Sequence, residues 1–209
     1  MAPMTNRVKH CVERAGHYRE GILQEVSKQK TADNSDRSRV ATAFISMAAG
    51  DFKAILTEIG NDNNGPALKL FRFLYEDVIN ALWIQAFATD ELIKELLHGK
   101  NGQVPGYMKD RAKELDTIVA PPPTVQPKET LFVDIQGKLW KAACSYAHGG
   151  SLAINRELAG HDEQSLYEVL RTSTNLFVLL MNGMYELHHD HKPNDVLRGL
   201  AKSFFAEKW

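Results

Sequence analysis

Between Ala67 and Ala88 the chain carries a run that, wound as a helix, is apolar around nearly its whole circumference. At roughly 100° per residue, Phe71, Leu74, Tyr75, Val78, Ile79, Leu82 and Ala86 cover about half of the surface. Leu70, Phe73 and Ile84 take much of the remainder. A helix of that kind belongs in the interior of a bundle, with other helices packed round it. This segment therefore fixes the fold class.

The rest of the sequence supplies those helices. Apolar residues recur at three- and four-residue steps, and no sustained two-residue alternation with hairpin turns occurs. The pattern predicts helices over about Arg7–Lys28, Asp36–Ile59, Pro66–Ala88, Asp90–Leu97, Gly106–Ile118, Glu129–Leu158 and Glu163–Leu187, with a last one after Pro193. Asp33, Asn34 or Ser35 can cap the second helix and Thr89 the fourth. Residues 119–128, with Pro121, Pro122, Pro123 and Pro127, cannot be helical and form an extended surface loop. The expectation is an all-α bundle of four to five longer helices with short accessory ones. It forms a single domain over 1–209, with its core at about 36–187.

Arg72, Glu76 and Asn80 fall on one line of the central helix at i, i+4, i+8, flanked by Trp83 and Phe87. Charges in such a position are costly unless paired and hydrogen-bonded. They form either an internal pair that fixes packing or the lining of a cleft. Arg72 precedes Glu76, the less favourable order for a surface pair, which points to tertiary partners for both. A second polar line, Lys141, Ser145, His148, Ser151 and Asn155, lies on the predicted helix after the proline loop. Gly149 and Gly150 come directly after His148, and two glycines within a helix cost about 2 kcal/mol against alanine. A close neighbour is expected there, either another helix or a ligand. Convergence of His148 on Arg72 and Glu76 would make one site.

Other chemistry is sparse. The 25 basic and 26 acidic residues nearly cancel, which excludes a general nucleic-acid-coating protein but not a local cleft for RNA or a nucleotide. Cys11 and Cys144 lack metal or redox spacing. No run of consecutive apolar residues approaches the ~20 needed to span a bilayer, and the opening Met1–Thr5 has no apolar leader core. A cytoplasmic protein without membrane association is the expectation. Glu186-Leu187-His188-His189-Asp190-His191 has metal-binding side chains, but histidines near a helix end also complement its dipole. No Gly-rich phosphate loop, nucleophile elbow or zincin motif occurs. No metal and no cofactor are expected.

Two blocks carry a family resemblance. The first runs from Asn64-Gly65-Pro66-Ala67-Leu68 through Arg72-Phe73-Leu74-Tyr75-Glu76 to Asn80-Ala81-Leu82-Trp83-Ile84. The second runs from Trp140 through Cys144-Ser145-Tyr146-Ala147-His148-Gly149-Gly150 to Arg156. Together, over about Asn61 to Leu180, they resemble an uncharacterised family of helical bacterial proteins. That family is similar in turn to the HEPN superfamily and its AbiV-like relatives, helical bundles of phage-defence and toxin–antitoxin systems. Carried over by position, the matching residues are Arg72, Glu76, Trp83, Tyr146, His148, Gly150 and Arg156. Gly50-Asp51 departs from the pattern, because the family often has an acid–histidine pair there.

The resemblance implies a HEPN-like bundle, a homodimer and an RNA or nucleotide ligand, with a partner protein from the same operon. Many HEPN proteins are metal-independent ribonucleases in which an arginine, followed after four to six residues by a histidine, acts on the 2′-hydroxyl and the phosphate. Arg156 to His161 is the one such spacing here, although Ala159-Gly160 reads as a helix end. The implied catalytic set is His148, Arg72, Glu76 and Arg156. The alternative is a non-catalytic binding, sensor or partner subunit whose buried polar groups serve packing. The apolar stripe of the last helix, ending in Phe204, Phe205 and Trp209, is the expected dimer surface.

Overall fold

A computed structural model describes residues 6–28, 35–99, 102–118, 131–150, 154 and 163–188. All regular structure among the described residues is helical. The elements are α1 (Asn6–Lys28), α2 (Asp36–Gly60), α3 (Asn64–Phe87), α4 (Asp90–His98), α5 (Met108–Ile118) and α6 (Leu131–Ile135). A π-helical turn, Gln136–Trp140, joins α6 to α7 (Lys141–Ala147), and α8 (Glu163–His188) comes last. The proline loop, Arg156, His161, the His189–His191 run and the stripe ending in Trp209 lie outside the described residues.

Local chemistry sets several element ends. Ser35 caps α2 by accepting from the Ser38 N–H at 3.2 Å, and Thr89 caps α4 from Leu92 at 3.3 Å. The α2–α3 turn places Asp62 at φ 61°, a left-handed conformation that aspartate tolerates better than most residues. Its tightness makes α2 and α3 an antiparallel hairpin. α3 begins two residues ahead of Pro66, whose ring the first turn accepts because its N–H would be unbonded there.

α3 is the axis of the bundle. Phe71, Leu74, Tyr75, Val78, Ile79, Leu82 and Ile84 are buried against α2, α5, α7 and α8. Phe52 of α2 stacks on Phe177 of α8, with ring centroids 5.0 Å apart. Val8, Cys11, Ala15 and Ile22 seat α1. Phe73 corrects the expectation of an all-round apolar helix: it is 48% exposed, so one face of α3 is open. By length and composition α2 would suffice to cross a bilayer, and a third of its most apolar window is buried.

The largest departure concerns the predicted helix from Glu129 to Leu158. Among the described residues it runs from Leu131 through the π turn to Ala147, where α7 ends. Gly149 takes φ +66° and Gly150 donates to the Ser145 carbonyl at 2.7 Å, so the two glycines close α7, and Ile154 beyond them is helical again, its N–H bonded to the Gly150 carbonyl at 3.1 Å. A Cβ at Gly150 would stand 2.5 Å from Ser145 Oγ. The close neighbour at Gly150 is the preceding turn of its own helix.

Candidate functional site

Arg72 and Glu76 pair one helical turn apart, Nε to Oε1 at 2.7 Å, with their side chains 22% and 25% exposed. α3 presents them toward the gap between α5 and the α6–α7 segment. Each also has tertiary neighbours. Arg72 Nη1 lies 2.5 Å from Nε2 of His148, and the guanidinium carbon sits 5.9 Å from the centroid of the Trp140 indole. The charge of Glu76 is felt by Arg111 of α5 and by Cys144. The internal pair is present, and both of its members also have tertiary partners.

Two different parts of the sequence build this meeting point. α3 offers Arg72, Glu76 and Asn80 at four-residue steps. The facing segment offers Trp140, Cys144 and His148 at the same steps, and one of them, Trp140, closes the π turn. His148, on the line expected from sequence, reaches Arg72, and Trp140 and Cys144, each one position before Lys141 and Ser145, join it there. The π turn sets which face of α7 is turned toward α3, because its extra residue rotates the later helical turns relative to the earlier ones. His148 is the C-cap of α7, its N–H bonded to the Cys144 carbonyl at 3.1 Å, and its side chain is exposed.

Trp140 and Cys144 carried no role in the sequence pattern, although both stand in the second family block. Arg111, buried on α5, gave no signal at all. It donates to the carbonyls of Pro105 at 2.6 Å, Gly106 at 3.1 Å and Val104 at 3.3 Å, tying down the segment before its own helix. Glu114, one turn further along, accepts from Trp83 Nε1. Trp83 in turn stands beside Phe87, with centroids 6.4 Å apart. Asn80 Oδ1 and Trp140 Nε1 are buried without a hydrogen-bond partner. Tyr146 is buried. Arg156, the fourth expected site residue, falls outside the described residues.

The electrostatics come from these contacts. The hydrogen bond that Arg72 donates to Glu76 raises the Arg72 pKa further, outweighing partial burial, so the guanidinium stays charged. Burial pushes the Cys144 thiol up more than Arg72 draws it down, and Glu76 adds to the rise. Cys144 is thus a neutral thiol beside a fixed cation. Burial lowers Arg111 against the pull of Glu76 and Glu114.

A second carboxylate feature lies between α2 and α3. Asp51 and Asp77 are hydrogen-bonded through their side chains. Burial first, then the charges of Asp51 and Glu76, push Asp77 up to about 7, and burial also raises Asp51. The Gly50-Asp51 departure from the family pattern is thus half of an acid pair.

Among the described residues no three His, Cys, Asp or Glu side chains converge as a metal site. A shallow depression where α2 and α4 begin is lined by Ser35, Asp36, Arg37, Asp90, Ile93 and Lys94, and shares no residue with the Arg72 cluster. Arg37 there is already held by Asp90 at 3.0 Å and by the Ile84 carbonyl at 2.9 Å.

A family model described as a family of unknown function, DUF6988, matches residues 45–207 and so spans α3, the π turn and α8. The chain belongs to this family. No curated protein and no solved structure matches it. The DUF6988 match takes in both lines of the cluster, from Arg72 to His148, and begins within α2.

Proposed function

We propose that this DUF6988 protein is a HEPN-like member of a bacterial defence or toxin–antitoxin system that acts on RNA, with Arg72, Glu76 and His148 as its centre. The observation that carries this reading is the contact between Arg72 Nη1 and His148 Nε2, which joins a cation and a base 76 residues apart in sequence. A metal-independent endoribonuclease needs that combination. The imidazole takes the proton of a ribose 2′-hydroxyl, and the oxygen attacks the adjacent phosphorus. The guanidinium neutralises charge gathering on the phosphoryl oxygens. The 5′-oxygen leaves with a proton from solvent, giving a 2′,3′-cyclic phosphate. Glu76 holds the arginine on its Nε side, so the Nη nitrogens, one of them on His148 at rest, are the ones that turn to phosphate. Arg156 belongs to the same proposed centre through the family resemblance. A homodimer, an operon partner and a cytoplasmic location complete the proposal.

The purified protein is incubated with single-stranded RNA, and products are read for 2′,3′-cyclic ends. His148→Ala and Arg72→Ala should each lower cleavage at least 100-fold, on the scale of losing a general base or a charge stabiliser. Melting curves check that the variants remain folded. Cleavage at the wild-type rate by a folded His148→Ala protein overturns the reading.

A second reading, a non-catalytic binding or partner subunit, is favoured by one observation: Arg72 is already compensated by Glu76 and Trp140. It expects Arg72→Ala to lower the melting temperature with no RNA-dependent consequence.

A further inference from the structure

We infer that Arg72 caps the basic lone pair of His148 in the resting protein, and that a phosphate group entering the site draws the guanidinium away and uncovers it. The inference deepens the proposed function and rests on reading this cluster as a phosphate-handling site.

Arginine only donates hydrogen bonds. With Nη1 at 2.5 Å from Nε2, the imidazole must accept on Nε2 and carry its proton on Nδ1. A lone pair engaged by a guanidinium N–H cannot also take the proton of a ribose hydroxyl. In the resting arrangement, the proposed base is blocked by the group meant to assist it.

The remaining contacts of Arg72 show how the block is released. Glu76 grips Nε, the nitrogen nearest the backbone, while the cap is made by Nη1 at the far end. The guanidinium can therefore swing about its Glu76 contact without losing that partner. Trp140 offers an aromatic face along which a cation slides at little cost. An oxyanion makes charge-assisted, paired bonds to a guanidinium, roughly twice as strong as bonds to a neutral acceptor such as imidazole. It reaches the cap from solvent, because His148 is exposed. The neighbouring charges belong to Glu76, Arg111 and Glu114, and Cys144 contributes a neutral thiol. Arg111 is committed to three carbonyls, so of these two described arginines Arg72 is the one left to respond.

The test reads the tautomer of His148 by side-chain ¹⁵N NMR on the full chain, at a pH where the imidazole is neutral, with His148→Gln to assign the signal. Without ligand, the protonated nitrogen should be Nδ1. Titration with inorganic phosphate should move the proton to Nε2. Arg72→Ala should show the Nε2–H form without phosphate, and phosphate should change it no further. The wild-type titration stands alone if that variant fails to fold. An Nε2–H tautomer in the ligand-free wild type overturns the inference, as does a signal that phosphate never moves. A tautomer switch in a protein that cleaves no RNA keeps the gate and removes the nuclease; RNA cleavage without a switch removes the gate alone.

Discussion

Asp77 is the residue whose titration should be easiest to see. Its carboxyl is pushed from the ordinary aspartate range to about 7, so the folded chain holds a proton there that the unfolded chain releases near pH 4. Between those values the native state binds more protons, and stability falls as pH rises through the window. The contribution is fully present below about pH 4 and is lost by the time pH passes the folded value. Allowing for the solvent that still reaches the group, the swing should be about 1–2 kcal/mol. Asp77→Asn keeps a donor for Asp51 and carries no charge. It should raise the melting temperature at pH 8 and flatten this part of the pH–stability profile; a profile identical to wild type would show that Asp77 ionises normally. Neither acid stands out in the sequence as half of a pair. On a helical wheel Asp77 sits one position beyond Glu76, and Asp51 lies on another helix, so only the hairpin brings them together. Arg72 and Glu76 were legible because two charges at i, i+4 stand out against an apolar helix.

At the scale of elements, the segment from α6 to α7 carries both Trp140 and His148, and its two ends are held differently. Asp116 accepts from the N–H groups of Phe132 and Val133 at 3.0 and 3.1 Å, and Tyr75 donates to the Phe132 carbonyl at 2.9 Å. These contacts tie the start of α6 to α5 and α3. Asp116→Ala leaves two amides without an acceptor and should cost about 1–2 kcal/mol, measured by urea unfolding. It should also lower the proposed RNA cleavage, since the segment that carries His148 loosens. The other end closes at Gly149, where φ of +66° disfavours a side chain. Gly149→Ala should destabilise by about 1 kcal/mol; a neutral or stabilising result would show that the left-handed closure is absent. Sequence periodicity could not find either feature. A π turn leaves apolar spacing nearly unchanged while rotating the faces, and Gly149-Gly150 reads equally as a costly helical interior or as a helix end.

For the whole molecule, the bundle separates what holds it together from what the proposed site needs. α3 meets α2 and α8 on one flank and α5 with the α6–α7 segment on the other. The all-α class was legible because α3 is too apolar to lie anywhere but among helices. Which flank faces which partner was not, because local spacing says nothing about packing order. The first flank contains the Phe52–Phe177 stack and the approach of α8 to Leu82 at Gly183, where a Cβ would stand 2.7 Å from Leu82 Cδ2. Phe177→Ala empties a fully buried ring site and should cost about 3–5 kcal/mol, a large part of the ~5–15 kcal/mol that holds a typical domain. It touches no member of the Arg72 cluster. Cleavage per folded molecule, measured well below the lowered melting temperature, should therefore stay at the wild-type level. Arg72→Ala should do the reverse, with a stability loss of about 2 kcal/mol for a pair that is three-quarters buried and a loss of the proposed cleavage. Because the two residues share no partner, the double variant's stability loss should equal the sum of the single ones to within about 0.5 kcal/mol. A larger deviation in chemical denaturation would mean that α3 transmits strain between its flanks, and the core and the site would then be one cooperative unit.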